Sequence, residues 1–324
     1  MPEPRIVYMG TPEFAVTPLD QLLRAGYPVV GVITAPDRPA GRGKKIRHSA
    51  VKDYLLKNHP GIPVLQPEKL RDPDFLAALR ALQPTLQVVV AFRMLPEAVW
   101  KIPTLGTFNL HASLLPQYRG AAPINHVLIN GETESGVTTF LIDEKIDTGQ
   151  ILLQTKTAIG PNENAGQLHD RLMMLGAELV LKTVDGLLKG ELEAQDQADW
   201  IPDESVLKKA PKIHKDDCRI TWDQKGEQVR NLIRGLSPYP VAWTMLERPG
   251  QKAVMCKIFD GEFEPASHQD KPGTIYTDGK KYLEVAVRDG LLHIHSLQQE
   301  GKRRMEIRDF LAGFKLRSEP ARFS

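Results

Sequence analysis

The chain has 324 residues, of which 41% are hydrophobic and 25% are charged, and its formal net charge is +2. This composition is that of an ordinary globular protein and excludes fibrous and intrinsically disordered classes, while the length predicts two domains. No apolar run is long enough to cross a bilayer, and the first residues lead into a strand rather than a signal peptide.

Cysteine usage and charge distribution add two further constraints. Cys218 and Cys256 lack zinc or redox spacing, so we expect reduced thiols in a cytoplasmic protein. Residues 1–206 hold 20 Lys and Arg against 24 Asp and Glu, a net charge of −4. Residues 207–324 hold 22 against 16, a net charge of +6, which favours a polyanionic partner for this part of the chain.

The chain begins with an alternation of strand and helix. Residues 5–10 form an apolar run that ends at glycine, residues 11–24 are predicted to be helical, and residues 27–33 form the next strand. Such a βαβ unit predicts a parallel sheet. The first turn reads Gly10-Thr11-Pro12-Glu13-Phe14 and lacks the glycine pattern of dinucleotide-binding turns, so we expect no nicotinamide cofactor.

A basic segment follows the second strand at residues 36–47. Its five basic side chains are Arg38, Arg42, Lys44, Lys45 and Arg47. Two glycines, two prolines and few apolar residues predict a mobile loop outside any helix or strand. Such a loop is either a solvated surface or a means of reaching the phosphates and single-stranded ends of a nucleic acid.

The following elements continue the predicted sheet. A helix over residues 49–58 has Ser49 as its cap, a short strand covers 64–67, a second helix covers 72–82, and 86–92 is an apolar central strand. Residues 107–110 form another buried strand. Because alternate residues of a strand share a face, Asn109 and His111 point to the same side at its carboxyl end, where open α/β sheets bind ligands.

Asp147 follows a strand predicted over residues 137–142 and lies in a turn that contains glycine. An amide, an imidazole and a carboxylate together can stabilise an oxyanion, move a proton and orient the base. An Asn-x-His pair on a strand is, however, often no more than a hydrogen-bonded core pair, and Asp-Thr-Gly is often only a turn.

The string His-Ala-Ser-Leu-Leu-Pro-Gln-Tyr-Arg-Gly-Ala-Ala-Pro-Ile at residues 111–124 resembles the signature of the folate-dependent formyltransferases. The form found at residues 118–124 is most similar to the members that act on methionyl-tRNA. The basic segment resembles the insertion with which those members grip the acceptor end of initiator tRNA. Residues 93–96, Arg-Met-Leu-Pro, differ from the commonest family pattern in a loop that lines the pterin pocket.

This resemblance implies transfer of a formyl group from 10-formyltetrahydrofolate to the α-amine of methionine on initiator tRNA, without a metal. It implies Asn109, His111 and Asp147 as catalytic residues, and leaves open how the latter two divide the proton transfer. It implies that the extended backbone of Ser113, Leu114, Leu115 and Pro116 exposes its polar groups to the folate. The five basic residues of the loop are the implied tRNA contacts.

The rest of the chain predicts a second domain. A helix over residues 164–188 ends a first domain at residue 189, residues 190–207 read as a polar linker, and residues 208–324 form the C-terminal domain. A strand at 218–222, a helix at 226–234 and short strands at 242–245, 253–259, 273–276, 283–287 and 291–295 suggest a small barrel. The resemblance thus implies an α/β protein, with a Rossmann-like parallel sheet formyltransferase domain followed by an OB-like, tRNA-binding β-barrel.

Three other functions are compatible with parts of the pattern. A formyltransferase of a small amine such as a sugar nucleotide would share the three polar residues, but the basic loop argues against it. A hydrolase of 10-formyltetrahydrofolate would have no need for a basic barrel. A noncatalytic RNA-binding module would have no need for Asn109, His111 and Asp147 together. For the predicted enzyme we expect a monomer that does not associate with membranes.

Overall fold

The computed structural model describes residues 3–40, 45–200, 203–313 and 321–324. It divides into two compact units: residues up to 120, 135–157 and 169–209 in the first, and 121–134, 158–168 and 210–324 in the second. The linear division at residues 190–207 stays a prediction. Arg42 and Lys44 lie outside the described residues.

The described part of the chain before residue 219 alternates strands and helices as its hydrophobic pattern predicts. The strands are β1 (Ile6–Gly10), β2 (Val29–Ile33), β3 (Arg38–Ala40), β4 (Lys45–Arg47), β5 (Val64–Leu65), β6 (Leu86–Val90), β7 (Thr107–His111), β8 (Arg119–Gly120), β9 (Glu134–Leu141), β10 (Ile151–Ala158) and β11 (Lys209–Ala210). The helices are α1 (Val16–Arg24), α2 (Ala50–Asn58), α3 (Pro73–Ala81), α4 (Glu97–Trp100), α5 (Pro123–Ile129) and α6 (Ala165–Lys189). Short 3-10 turns cover Glu13–Ala15, Gln197–Trp200, Glu204–Val206 and Asp216–Cys218.

Seven of these strands form one sheet, in the order β10-β9-β7-β6-β1-β2-β5. The pairs β1–β2, β1–β6, β2–β5 and β6–β7 are parallel, whereas β9 runs antiparallel to β7. Every residue of β1 and β6 is buried, as expected for central strands covered on both faces. The predicted Rossmann-like parallel sheet is confirmed.

The two described ends of the basic segment are more ordered than its composition predicts. Strands β3 and β4 pair antiparallel, with Arg38 opposite Arg47 and Pro39 opposite Ile46. The prediction that glycine and proline exclude strand structure is therefore wrong for both ends of the segment. Pro39 fits because a two-stranded ribbon has only edge strands, so its missing N–H need not break a ladder.

The second unit contains α5 and, from residue 226 on, a β-sheet with two further helices. These later elements are α7 (Gly226–Leu236), β12 (Ala242–Glu247), β13 (Val254–Pro265), β14 (Ile275–Thr277), β15 (Leu283–Val287), β16 (Gly290–Gln299), β17 (Met305–Glu306), α8 (Ile307–Ala312) and β18 (Arg322–Phe323). The strand order is β14-β15-β16-β13-β12-β18, with β17 paired to β16. A bridge between Thr274 and Arg322 brings the two ends of this order together. The sheet is thus a nearly closed antiparallel barrel, which confirms the predicted barrel.

The strand predicted at residues 218–222 is wrong. Cys218 ends a 3-10 turn, and among the described residues this segment makes only an isolated bridge, from Arg219 to Trp243. Their alternation is nevertheless real, because Cys218, Ile220 and Trp222 are each at most 4% exposed and belong to the barrel core. The Trp222 indole donates to Thr244 Oγ1 at 2.9 Å, so the segment is anchored by its side chains rather than by a strand ladder.

Both cysteines are free thiols buried in the second unit. Burial raises the pKa of the Cys256 thiol to about 12 and also raises the pKa of Cys218. Both thiols are therefore protonated and unreactive at neutral pH. Among the described helices, none is long and apolar enough to cross a membrane.

Candidate active site

The candidate site is built at the carboxyl end of β7. This strand lies between β6, which is parallel to it, and β9, which is antiparallel. Asn109 is half-buried and pairs in register with Val89 and Phe140, and His111 is the last residue of the strand. As predicted from their spacing, the two side chains lie on one face of the strand.

His111 is held by the loop that follows it. Its side chain is nearly buried, and Nε2 lies 2.9 Å from the backbone oxygen of Tyr118. Because a carbonyl oxygen can only accept, Nε2 must donate in this hydrogen bond, and the neutral imidazole therefore carries its hydrogen there. Its Nδ1 then presents a lone pair. The ring also packs edge-on against Phe140, with centroids 6.5 Å apart.

Asp147 lies opposite the free nitrogen of His111. The distance from Asp147 Oδ2 to His111 Nδ1 is 3.8 Å, and the carboxylate is 14% exposed. The same oxygen accepts a hydrogen bond from the Gly120 amide at 2.9 Å. Asp147 has a φ of 56°, a left-handed conformation that aspartate tolerates better than most residues.

The facing atoms of His111 and Asp147 are both acceptors when the imidazole is neutral and the carboxylate is charged. Two lone pairs that face each other gain a hydrogen bond only when a proton enters between them. Nδ1 is therefore the nitrogen of His111 that faces Asp147, because Nε2 is already committed to the Tyr118 carbonyl.

The third predicted residue, Asn109, has no comparable partner. Among the residues that the structure describes, none forms a hydrogen bond with its side chain. Its amide N–H groups are consequently available to a molecule bound at the end of β7. The structure thus brings His111 and Asp147 into direct apposition and places Asn109 on the same face.

The segment predicted to hold folate is folded differently from expectation. Ser113 and Leu115 are buried, and the Leu115 amide donates to Thr138 Oγ1 at 3.2 Å. The Ser113 carbonyl accepts from Thr138 Oγ1 at 2.7 Å, and the Leu115 carbonyl accepts from Gln154 at 2.9 Å. The expected exposure of this backbone is therefore wrong, because side chains of β9 and β10 satisfy it. Folate contact by residues 113–116 stays a prediction.

One residue of the site was missed by the sequence analysis. Gln197, in the segment interpreted as a linker, is 3% exposed and hydrogen-bonds both Arg119 and the Asp147 loop. It is 50 residues from Asp147 in the chain. Neither its residue type nor a local pattern points to this contact, because only the tertiary fold brings the two segments together.

The start of the basic segment is anchored by a polar network around Asp37. Lys52 Nζ contacts Asp37 Oδ2 and Gln66 Oε1, each at 2.6 Å, and Gln66 Nε2 donates to Asp37 Oδ1 at 2.8 Å. Hydrogen bonds from Gln66 and Lys52 lower the pKa of the Asp37 carboxyl. Among the described residues, Arg38 and Arg47 form no hydrogen bond or ion pair with Asn109, His111 or Asp147.

Arg93, which differs from the family pattern, is turned onto the backbone beside the sheet. Its guanidinium donates to the carbonyl of Glu68 at 2.8 Å and to that of Pro67. Burial and the charge of Arg38 lower its pKa. Within the described ranges, no group of three or more His, Cys, Asp or Glu side chains is placed to hold a metal ion.

Comparison with known proteins shows the family to which the chain belongs. Residues 4–184 match the formyl transferase family, and residues 212–315 match the formyl transferase C-terminal domain. A methionyl-tRNA formyltransferase from Parabacteroides distasonis is 55% identical over 312 residues, or 96% of either chain. One from Flavobacterium johnsoniae is 50% identical over 315 residues, covering 97% of this chain and 98% of the relative.

Solved structures share the fold at lower identity. An N-formyltransferase from Helicobacter canadensis, solved with folinic acid and dTDP-3-aminofucose, superposes with a TM-score of 0.63 at 20% identity, over 93% of this chain and all of that one. HypX from Aquifex aeolicus, solved with tetrahydrofolic acid, gives a TM-score of 0.62 at 16% identity, over 95% of this chain and 47% of that one. These likenesses show the fold.

The geometry predicts which nitrogen of neutral His111 carries the hydrogen. We expect the Nε2–H tautomer, because the Tyr118 carbonyl accepts only from a protonated Nε2. Two-bond ¹H–¹⁵N correlation spectra of histidine-labelled protein report the tautomer, and a His111→Asn variant assigns the signal. His126, whose Nε2 lies 3.0 Å from the Pro211 carbonyl, is an internal reference for the same pattern. A neutral His111 with its hydrogen on Nδ1 would contradict the geometry.

Proposed function

Because the chain belongs to the formyltransferase family, we propose that it transfers the formyl group of 10-formyltetrahydrofolate to the α-amine of methionyl initiator tRNA. The product is N-formylmethionyl-tRNA, which initiates translation. The observation that carries the proposal is the proton-accepting pair of His111 and Asp147 beside the unpartnered amide of Asn109. It lies within the region that matches the family, in a chain whose relatives of about half identity are named for this reaction.

The reaction needs an oxyanion donor and a proton acceptor. The neutral amine attacks the formyl carbon, a new C–N bond forms, and the carbonyl oxygen becomes an oxyanion. Asn109 donates an N–H to that oxyanion. The amine proton passes to His111 Nδ1, and the resulting imidazolium is stabilised by Asp147 Oδ2. Collapse of the intermediate breaks the bond to folate N10, which leaves with the proton that the His111 imidazolium returns. The free Nδ1 supports this division of the proton transfer.

Folate is proposed to bind along the segment of Ser113, Leu114, Leu115 and Pro116. Because the structure anchors this backbone through Thr138 and Gln154, the segment acts as a rigid wall rather than as a flexible clamp. Leu114, which is half-buried, then supplies apolar contact to the pterin or its linker. The chemistry requires no metal, since a neutral amine and an activated formyl group react through general base and oxyanion stabilisation.

Initiator tRNA is proposed to bind through two basic regions. The basic segment of residues 36–47 reaches the acceptor end with Arg38, Arg42, Lys44, Lys45 and Arg47. The C-terminal domain, whose residues 207–324 carry a net charge of +6, binds the tRNA body through phosphates. The protein is proposed to act as a monomer in the cytoplasm.

One assay separates this function from its rivals. The purified chain is incubated with 10-formyltetrahydrofolate and either methionyl initiator tRNA or an amino-sugar nucleotide, and formyl transfer and free formate are measured. We expect formylmethionyl-tRNA alone. Formylated sugar nucleotide would identify a small-amine formyltransferase, and formate released without an acceptor would identify a hydrolase.

The catalytic assignment predicts large losses of turnover. Asn109→Ala, His111→Ala and Asp147→Ala should each lower kcat at least about a hundredfold, the usual scale for an oxyanion donor or a proton-transfer group. The combined variant should lose less than the product of the single losses, because the groups act as a unit. His59→Ala, which removes a histidine at the end of α2, is the control. Near-normal turnover by a folded His111→Ala protein would refute the mechanism.

If the basic segment binds tRNA, a substitution in it should lower activity toward tRNA without changing folate binding. Arg42→Ala should lower kcat/KM for methionyl-tRNA by about tenfold or more, because it removes a charged hydrogen-bond donor to phosphate. Folate affinity should not change. Arg42→Lys should restore only part of the activity, since an ammonium lacks the planar fork of guanidinium. Arg71→Ala removes an exposed arginine elsewhere and should be neutral. If Arg42→Ala and the wild type had equal kinetics, the proposal that the basic segment binds tRNA would be refuted.

A further inference from the structure

The carboxamide of Gln197 is fully used in hydrogen bonds within the first unit. Its Oε1 accepts from Arg119 Nε at 3.0 Å and from Arg119 Nη2 at 2.7 Å. Its Nε2 donates to the carbonyl of Asp147 at 3.0 Å and to that of Gly149 at 2.7 Å. Because guanidinium only donates and carbonyls only accept, the orientation of this amide is unambiguous. Both lone pairs and both hydrogens of a 3% exposed group are satisfied.

These bonds hold the backbone on which the Asp147 carboxylate stands. Asp147 has a φ of 56°, and Gln197 contacts its carbonyl and that of Gly149, two residues later. Arg119, which donates to the oxygen of the same carboxamide, is followed in the chain by Gly120. The Gly120 N–H donates to Asp147 Oδ2. Gln197 therefore ties together the two segments that fix the position of this carboxylate.

We infer that Gln197 is a positioning residue for formyl transfer, which sets the distance and direction of Asp147 Oδ2 toward His111. This inference rests on the proposed function. The 3.8 Å separation between Oδ2 and Nδ1 is close enough for an incoming proton to bridge the two atoms after a small approach. A displacement of about 1 Å in such a group lowers turnover by up to about a hundredfold, without changing how substrate binds.

Two substitutions test this inference in the full-length enzyme. Gln197→Leu removes all four hydrogen bonds at similar side-chain volume. Gln197→Glu keeps the acceptor for Arg119 but loses both donors to the Asp147 loop. This second variant tests the inference if Gln197→Leu fails to fold. The matched control is Gln150→Leu. Gln150 Nε2 donates to Asp196 Oδ1 at 2.9 Å, so it joins the residue after Gly149 to the residue before Gln197, but at the exposed surface.

Steady-state kinetics and amide exchange are measured together. We expect either Gln197 variant to lower kcat by about ten- to a hundredfold, with KM for both substrates within about threefold of wild type. Because the Gly120 amide donates to Asp147 Oδ2, its hydrogen exchange should quicken in the Gln197 variants, as in Asp147→Ala, but not in Gln150→Leu.

The outcomes separate this inference from the proposed function. If the wild type does not formylate methionyl-tRNA, the proposed function fails, whereas the exchange of the Gly120 amide still reports whether Gln197 positions Asp147. If the wild type is active, then wild-type kcat and unchanged Gly120 exchange in a folded Gln197 variant would overturn the inference. A raised KM for tRNA with unchanged kcat would overturn it as well, because it would assign Gln197 to substrate binding.

Discussion

The hydrogen bond from His111 Nε2 to the Tyr118 carbonyl is the constraint on which the site depends. It forms because the loop after β7 folds back across the end of the strand. In this loop Tyr118 adopts a left-handed conformation, with a φ of 62°. The bond commits one nitrogen of the imidazole and leaves Nδ1 facing Asp147. The chemistry of the site therefore follows from a backbone turn, which decides the nitrogen at which His111 can bind a proton.

That turn is stabilised by its surroundings rather than by its own conformation. Left-handed backbone at a residue other than glycine costs roughly 1–3 kcal/mol at such positions. Tyr118 and Asp147 both adopt it, and each lies in a segment held by hydrogen bonds. Thr138 and Gln154 anchor the first part of the loop, while Gln197 and the Gly120 amide anchor the Asp147 turn. A rigid shell of this kind keeps a proton-accepting pair at fixed separation before substrate arrives.

Most strands and helices, and the placement of Asn109 and His111 on one strand, were predictable because they depend on local patterns. The alternation at Asn109 and His111, the apolar strands and the Ser49 cap are all read from neighbouring residues, and each agrees with the structure. Contacts between distant segments were not predictable. The Tyr118 carbonyl, Gln197 and the buried backbone of Ser113 and Leu115 depend on tertiary packing, for which residue type gives no signal. The segment at 218–222 alternates like a strand, yet its side chains are anchored in the barrel without a ladder.

The central claim is that formyl transfer takes place at the carboxyl end of β7. A crystal structure of the chain with an unreactive analogue of 10-formyltetrahydrofolate tests it most directly. We expect the analogue's carbonyl oxygen to lie about 3 Å from the Asn109 amide nitrogen, with its one-carbon unit beside the pair formed by His111 Nδ1 and Asp147 Oδ2. A folate analogue bound with its one-carbon unit away from Asn109 and His111 would contradict the account.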